Sequence, residues 1–418
     1  MQFIKGSACV KKGVHAGIIC LVLCLNIMFA SAQPAIDTIK KTIDPPTSPL
    51  STPGMTGPLT INPQPMKFHS GAFGDVYVSG VISGVSQWQN NVSPGDRDFQ
   101  ADLSNGQFFV QKVTGLVQFF VQVGAYSLPD IGLPYLRSGN TQNTVFGATN
   151  LFFGVVPQAF LKIAPSANFS IMAGKLPTLI GAEYTFSFEN MNIERGLLWN
   201  QENAVNRGVQ VNYKTGPVTL ALSWNDGMYS NKYSWAWGSV SYAVNSSNTL
   251  TFIGSGNTKI TNISTSATPL YLNNEQLYNL IYTHISGPWT IEPYLQYTKV
   301  PKSLEIKTTQ EAATYGAALF VNYAFHSNST DAGFNLPVRL EYIKSTGSAA
   351  EGAPNLLYGQ GSKAWSITLT PTYQYKRFFG RTEFSFVKAD NITSGSAFGP
   401  TGTNSNQVRT LLEIGMLF

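Results

Sequence analysis

The chain has little cysteine, and none after residue 24. Its three cysteines, Cys9, Cys20 and Cys24, all lie near the start of the 418-residue sequence. If that region is removed on export, as argued below, the remaining chain has no thiol for a disulfide, for metal binding or for nucleophilic catalysis. We identify no catalytic residue, no cofactor-binding residue and no metal ligand in the sequence.

Long apolar runs and an excess of charge are also missing from most of the chain. After residue 71, no segment reaches the roughly 20 apolar residues of a membrane-spanning helix. Charged residues make up only 12% of the chain, and residues 1–32 hold three of the 27 basic residues and none of the 22 acidic ones. The rest of the chain therefore carries a net charge of only +2, which gives no indication of nucleic-acid binding.

The N-terminal region has the composition of a secretory signal. Three lysines precede an apolar stretch over residues 16–30, and the small residues at positions 30–32 offer a cleavage site before Gln33. A transmembrane anchor is the alternative, but about 15 apolar residues fall short of a bilayer span. We expect residues 1–32 to be a cleaved signal peptide, so that the rest of the chain leaves the cytoplasm.

Proline is concentrated in the segment that follows. Residues 33–66 contain eight prolines and no pattern that would form a packed core. We expect residues 33–70 to be an extended periplasmic N-terminal segment. It either contacts another subunit or the cell wall or, as the simpler alternative, is a disordered leader.

From residue 71 onward, large apolar side chains alternate with small or polar ones, which is the period of a β-strand. In the predicted hairpin of residues 208–225, one face carries valine, leucine, tyrosine and tryptophan. The other face carries glutamine, asparagine, serine and threonine. Strands with one apolar and one polar face are typical of a transmembrane β-barrel, in which the outer face contacts lipid and the inner face contacts water.

The last strand indicates which face is outside. Ile414, Met416 and Phe418 share one face of this strand. Arg409 and Glu413 share the other face, and a charge facing lipid would cost about 2–4 kcal/mol at the midplane. The apolar positions therefore face lipid. This ending resembles the C-terminal strand of Gram-negative outer-membrane barrels, and we interpret Ile414, Met416 and Phe418 as an assembly signal.

The turns divide the alternating region into sixteen predicted strands, with fourteen or eighteen as alternatives because strand boundaries are uncertain by about 2–4 residues. The strands cover residues 75–87, 99–111, 115–126, 149–164, 169–176, 207–213, 218–225, 233–244, 249–257, 276–285, 289–299, 314–325, 334–345, 362–375, 380–388 and 407–418. The predicted fold class is all-β, a transmembrane antiparallel barrel over residues 71–418. Short turns alternate with longer loops, which places the short turns in the periplasm.

The longest connection inside the barrel, residues 177–206, follows the fifth strand and is the third outer loop. It is rich in large apolar residues, which need burial, and in charged and amide residues, which need water or partners. A loop that folds into the lumen satisfies both needs.

The same region carries a family resemblance. The stretches GKLPTLIGAE at residues 174–183, NMNIERGLL at residues 190–198 and NRGVQ at residues 206–210 resemble the OmpL-like β-barrel porins. The resemblance extends loosely over residues 71–418. It implies an outer-membrane barrel with channel activity, but it assigns no functional residues.

Sixteen strands leave an aqueous lumen, so we expect an outer-membrane porin that passes small hydrophilic solutes or ions. The alternatives are a surface adhesin or receptor that uses the outer loops and, less favoured, an outer-membrane lipid hydrolase. The nearest hydrolase constellation, His326-Ser327-Asn328-Ser329, falls in a predicted periplasmic turn. Expected partners are outer-membrane lipids, the barrel-assembly machinery, small hydrophilic solutes and further copies of the chain in a homo-oligomer, but not nucleic acid.

Strand parity predicts four basic and four acidic residues on the inner wall, and the third outer loop adds three charges at a constriction. The wall residues are Lys162, Arg339, Arg381, Arg409, Glu292, Glu341, Glu383 and Glu413, and the loop residues are Glu189, Glu194 and Arg195. Arg339 with Glu341, and Arg381 with Glu383, should partly neutralise each other because each pair shares one strand face. We expect weak ion selectivity that is set at the loop.

Overall fold

The strands close on themselves in one antiparallel ring. The structure, a computed structural model, describes residues 48–139, 147–325 and 332–418. Its strands are β1 (Met66–His69), β2 (Asp75–Gln89), β3 (Phe99–Lys112), β4 (Val117–Tyr126), β5 (Gln158–Ser166), β6 (Phe169–Pro177), β7 (Val205–Thr215), β8 (Val218–Asn225), β9 (Trp235–Asn245), β10 (Asn248–Asn257), β11 (Gln276–Ser286), β12 (Trp289–Val300), β13 (Ala312–Phe325), β14 (Ala332–Ser345), β15 (Lys363–Leu369), β16 (Thr372–Tyr375), β17 (Phe378–Asp390) and β18 (Asn406–Leu417).

Strands β2 to β18 form the wall of a closed barrel with sixteen strand positions, each hereafter called a stave. Each stave pairs with the next along the chain, and β18 pairs with β2 to close the ring. β15 and β16 belong to one stave, because both pair with β14 in a single register and are separated only around Pro371, which has no N–H to donate. The predicted sixteen-stranded antiparallel barrel is confirmed. Within the described ranges, no helix is long and apolar enough to cross a bilayer.

Side chains divide between the two faces of the wall as the two-residue period requires. On β18, Ile414 is 62% exposed on the outer face, whereas its neighbour Glu413 is fully buried on the inner face. On β8, Leu222 faces outward and is exposed, and Ser223 faces inward and is buried. Because every strand carries both kinds of residue, the mean hydropathy of −0.02 is close to zero although the outer surface is apolar.

Aromatic side chains on the outer face cluster at both ends of β11, β12 and β13. Near the periplasmic turns, the rings of Trp289 and Tyr323 meet edge to face with 4.7 Å between their centroids. Near the outer loops, Tyr297 lies 6.3 Å from Tyr278 and 5.1 Å from Tyr315. Two such bands mark the two interfaces of a membrane barrel.

Phe418 joins the end of β18 to β2. Its N–H donates to the carbonyl of Gly80 at 2.9 Å, and its own carbonyl accepts from the Gly80 N–H at 2.8 Å. The Phe418 ring packs edge to face on Phe108 at 5.6 Å and covers Gly80, where an added Cβ would lie 2.5 Å from the ring. Gly80 is therefore needed for this close approach.

The predicted strand at residues 149–164 is wrong in its first half. The barrel strand is β5, which begins at Gln158, and residues Gly147–Leu151 form a short helix, α1. Thr149 Oγ1 accepts from the Tyr126 N–H at 3.0 Å and donates to the Tyr126 carbonyl at 3.2 Å. The Thr149 side chain thus pairs both backbone groups of Tyr126 at the end of β4. The segment around α1 packs on the barrel rim and does not extend β5.

Residues 48–69 differ from the expected extended periplasmic segment. β1 pairs antiparallel with the start of β2, and Lys67 Nζ lies 2.7 Å from Asp75 Oδ2 across this pair. Residues 48–65, hereafter the leader segment, have no helix or strand and contact the inner surface of the barrel. Residues 1–47, including the predicted signal peptide, lie outside the described residues.

Candidate pore constriction

The third outer loop connects β6 to β7, and its residues 178–204 are hereafter loop L3. Seven large apolar side chains in L3 are each at most 5% exposed, namely Phe186, Phe188, Met191, Ile193, Leu197, Leu198 and Trp199. Phe188 packs against the inward-facing Phe109 of β3 with 5.9 Å between ring centroids. Leu198 belongs to a second apolar cluster with Tyr294 and Phe320 of the wall. The apolar side chains of L3 therefore pack against the inside of the barrel.

Arg381 ties the wall to the first half of L3. Its Nε donates to Glu413 Oε2 at 3.0 Å, and its two Nη atoms donate to the carbonyls of Asn190 and Ser187 at 3.2 and 3.0 Å. β17 and β18 pair with Arg381 directly opposite Glu413. Glu413 on the wall neutralises the guanidinium, and the remaining N–H groups of Arg381 donate to the backbone of L3.

Arg339 ties the wall to L3 at two further points, Glu183 and Glu194. Its Nη1 lies 2.7 Å from Glu183 Oε1 and donates to the carbonyl of Glu194 at 2.7 Å. Its Nε lies 3.2 Å from Oε2 of Glu341, the neighbour on its own strand face. The expected pairing of Arg339 with Glu341 is present.

Arg409 joins L3 to the second outer loop, residues 127–157. Its Nη1 lies 2.7 Å from Glu194 Oε1 and donates to the carbonyl of Asp130 at 2.8 Å. Arg195 Nε in turn lies 2.6 Å from Asp130 Oδ1, and its guanidinium stacks on Trp199 at 4.7 Å. Two ion pairs and a hydrogen bond to a backbone carbonyl thus connect the two outer loops and the wall.

Glu383 does not pair with Arg381, and that expectation is wrong. Its carboxylate accepts the backbone N–H groups of Ile193 and Glu194 at 2.5 and 3.0 Å and the Thr370 hydroxyl at 2.7 Å. Arg381 binds Glu413 instead, because the cross-strand partner lies closer than the neighbour two residues along. Glu383 acts as an anchor for the L3 backbone.

These inner-wall charges do not line water in this conformation. Six of them are at most 5% exposed, namely Arg339, Glu341, Arg381, Glu383, Arg409 and Glu413. Burying a charge is costly unless it is paired and hydrogen-bonded, and each of the six has such partners in L3 or on the wall. The expectation of an open, charge-lined wall is therefore replaced by a buried network that holds L3.

The other predicted pore residues lie apart from this network. Glu189 makes its hydrogen bond within L3, where its Oε2 accepts the Phe186 N–H at 2.9 Å. Glu292 accepts the Thr283 hydroxyl at 2.6 Å near the periplasmic end of the wall. Lys162 faces the lumen on β5 and is half-buried, opposite Gln118 and Met172.

The inner face of β8–β11 is different, because toward the periplasmic ends of these strands its side chains are small and uncharged. Thr219 is exposed, and Ser239, Ser241, Thr251 and Thr283 are partly exposed. This surface, hereafter the hydroxyl face, lies beside the buried L3 and retains contact with solvent. It offers hydrogen bonds to a polar solute, and its charged neighbours include Glu292 on β12 and the exposed Lys214, which lies opposite Thr219 on β7.

Two acidic members of the network, Asp130 and Glu183, were not predicted from the sequence. Glu183 is the one acid in the stretch at residues 174–183 that carries the family resemblance, but no pattern linked it to Arg339. Asp130 lies in a long outer loop, and no sequence pattern indicated that it would join this network. Among the described residues, no group of three or more histidine, cysteine or acidic side chains could hold a metal ion. Residues 326–329, the hydrolase-like constellation, lie outside the described residues.

A closed sixteen-stranded barrel with an apolar outer face, a polar inner face and a loop packed inside defines the class of outer-membrane porins. The chain belongs to the OmpL-like beta-barrel porin-2 family, whose model matches residues 75–418. Outer-membrane localisation and channel function follow from this membership, and the resemblance inferred from sequence is confirmed. A comparison with individually curated protein sequences finds no match.

Several solved structures share the fold. Outer-membrane expressed OmpT of Vibrio cholerae is 10% identical with a TM-score of 0.55, covering 85% of this chain and 100% of its own. The outer-membrane channel DcaP of Acinetobacter baumannii is 12% identical with a TM-score of 0.54, covering 82% and 97%. The anion-selective porin from Comamonas acidovorans is 12% identical with a TM-score of 0.52, covering 82% and 99%. At these identities the likeness shows the fold alone.

Proposed function

We propose that this protein is a passive diffusion channel for small hydrophilic solutes or ions. The observation that carries the proposal is the hydroxyl face, a polar and solvent-contacting inner surface beside L3 in a sixteen-stranded wall. A solute that enters there replaces part of its water contacts with hydrogen bonds to hydroxyl groups. L3 narrows the remaining lumen and restricts passage to small solutes.

Ion selectivity should be weak in this channel. The arginines of the wall are paired with carboxylates in the buried network, so most of their field is cancelled before it reaches the hydroxyl face. A selective pore needs charges at close range along its path. Lys162 on β5 and Glu292 on β12 are charges of opposite sign on the inner face outside this network.

Planar bilayers test the proposal directly. Purified protein should insert as discrete conductance steps, and the reversal potential across a salt gradient should lie near zero. A folded, heat-modifiable barrel that gives no steps would favour a non-channel role, either an adhesin or receptor that uses the outer loops or a lipid hydrolase. A saturable conductance blocked by one solute would identify a substrate-specific channel.

We also propose that the barrel forms a homo-oligomer in outer-membrane lipid and is inserted by the barrel-assembly machinery. A trimer form of Vibrio cholerae OmpT, with a TM-score of 0.52 and 9% identity to this chain, supports the oligomer by fold likeness. Chemical cross-linking in native membranes should trap a small homo-oligomer. A single species of monomer mass after cross-linking would contradict it.

A further inference from the structure

We propose that the leader segment, residues 48–65, is a plug docked in the periplasmic half of the lumen that regulates the channel. This inference rests on the proposed channel function. The leader segment occupies space beside β2–β4 and β16–β18, on the other side of the lumen from the hydroxyl face. A plug at this place limits the passage that L3 already narrows.

Inward-facing glutamines bind the backbone of the leader segment at two points on the wall. Gln374 on β16 accepts the Thr60 N–H at 2.9 Å and donates to the Thr60 carbonyl at 3.0 Å. Gln111 on β3 donates to the Thr52 carbonyl at 2.8 Å. Two staves that are four positions apart around the ring therefore hold one short segment, which lies on the lumen side of the strands between them.

The leader segment also contacts L3 directly. The N–H groups of Thr56 and Gly57 both donate to the carbonyl of Glu189, at 2.8 and 3.1 Å. Gly57 lies so close to L3 that an added Cβ would be 2.1 Å from the carbonyl oxygen of Asn190. Only glycine allows this approach. Movement of the leader segment would uncover the periplasmic side of L3.

Leu59 anchors the leader segment in the lumen by apolar packing. Leu59 is only 2% exposed and lies in a cluster with inward-facing residues of the wall and with residues of L3, including Phe109, Phe120, Phe188 and Phe379. Leu50 is also buried, but among the buried residues of the leader segment only Leu59 belongs to this aromatic cluster, so Leu59 is its principal apolar anchor there. A charge at this position would have no partner in an aromatic environment.

The leader segment can leave the lumen without opening the barrel. It contains five prolines and no helix or strand, so its backbone bonds go to the wall and L3 and can be exchanged for water. It joins the barrel through the β1–β2 pair at the periplasmic rim, where the Lys67–Asp75 ion pair lies. Release toward the periplasm therefore leaves the sixteen staves intact.

A matched pair of charge substitutions tests the plug in planar bilayers. Leu59→Asp places a carboxylate in the aromatic cluster and should expel the leader segment, raising single-channel conductance at least twofold over the unaltered protein. Gln64→Asp adds the same charge to the same segment at an exposed position and should leave conductance unchanged. Equal conductance for the two variants and the unaltered protein would overturn the plug.

Cysteine labelling separates failure of the plug from failure of the channel. All native cysteines precede residue 25, so Thr56→Cys adds a thiol beside L3 and the unaltered protein serves as the blank. A membrane-impermeant maleimide added from the periplasmic side should react several-fold faster with Thr56→Cys when Leu59→Asp is also present. Faster labelling without increased conductance would overturn the regulatory role alone. Absence of conductance in every variant would overturn the channel function, and equal labelling rates would overturn the docking.

Discussion

The buried arginines of the inner wall hold the outer loops in place by hydrogen bonds to their backbone. Arg339, Arg381 and Arg409 each combine a carboxylate partner with backbone carbonyls of an outer loop. Guanidinium groups suit this task because their five donors point in fixed directions and stay charged at any physiological pH. Their arrangement on β14, β17 and β18 positions L3 along one side of the lumen.

Removing one arginine should therefore loosen the loop strongly. Arg381→Met leaves Glu413 buried and unpaired, and we expect a loss of about 3–5 kcal/mol in the free energy of unfolding. The double variant Arg381→Met with Glu413→Met removes both charges and should recover part of that loss. Denaturant titration of the refolded barrel measures both changes. A double variant less stable than Arg381→Met would show that the pair is not the source of the effect.

Ion selectivity should respond to Glu194 and not to Glu189. Glu194→Gln leaves Arg409 without its carboxylate, so the reversal potential across a salt gradient should shift toward anion preference. Burial raises the pKa of Glu189 to about 8, so this carboxyl is mostly neutral at pH 7 and Glu189→Gln should change little. Glu189→Gln is thus the matched control. An equal shift in both variants would remove Glu194 from the selectivity argument.

At the scale of elements, β18 closes the ring and its last residue covers a gap. Phe418 fills the space above Gly80 and contacts Phe108, so the outer face of the β18–β2 joint is continuous. An aromatic pair adds roughly 0.5–1.5 kcal/mol beyond the area it buries. This contact gives the sequence-based assembly signal a structural role at the joint.

Phe418→Ala should lower the yield of folded barrel. The substitution removes the contact with Phe108 and exposes Gly80, and we expect the heat-modifiable fraction on a gel to fall several-fold. Leu412→Ala, which truncates another lipid-facing residue of β18, should have a much smaller effect. If both variants fold as well as the unaltered protein, Phe418 has no special place in assembly.

The barrel elements were predictable because strand period and lipid-facing chemistry act residue by residue. The alternation around Leu222 and Ser223 needs no knowledge of distant contacts, and the parity of β18 assigned Glu413 to the inner face correctly. Pairing inside the lumen was not predictable, because it depends on the register between neighbouring strands and on where the loops fold. Arg381 therefore binds Glu413 on the neighbouring strand, and Thr60 of the leader segment binds Gln374, which is more than 300 residues away in sequence.

At the scale of the whole molecule, the lumen has an occupied part and a solvated part. L3, the described part of the second outer loop and the leader segment pack against β2–β4 and β14–β18 through ion pairs and aromatic contacts, and L3 also packs against the outer half of β9–β13 through apolar contacts. The hydroxyl face, toward the periplasmic ends of β8–β11, retains contact with solvent. A narrow, weakly selective passage is the expected result of this division.

Osmotic swelling of proteoliposomes tests that passage most directly, because uncharged sugars respond to the lumen and not to ion pairing. Vesicles with the unaltered protein should swell in small sugars at a rate that falls steeply with solute size, without saturation. Leu59→Asp should extend the range to larger sugars, and Gln64→Asp should not. Swelling no faster than in protein-free vesicles, for the unaltered protein and for Leu59→Asp alike, would contradict the account of a diffusion channel.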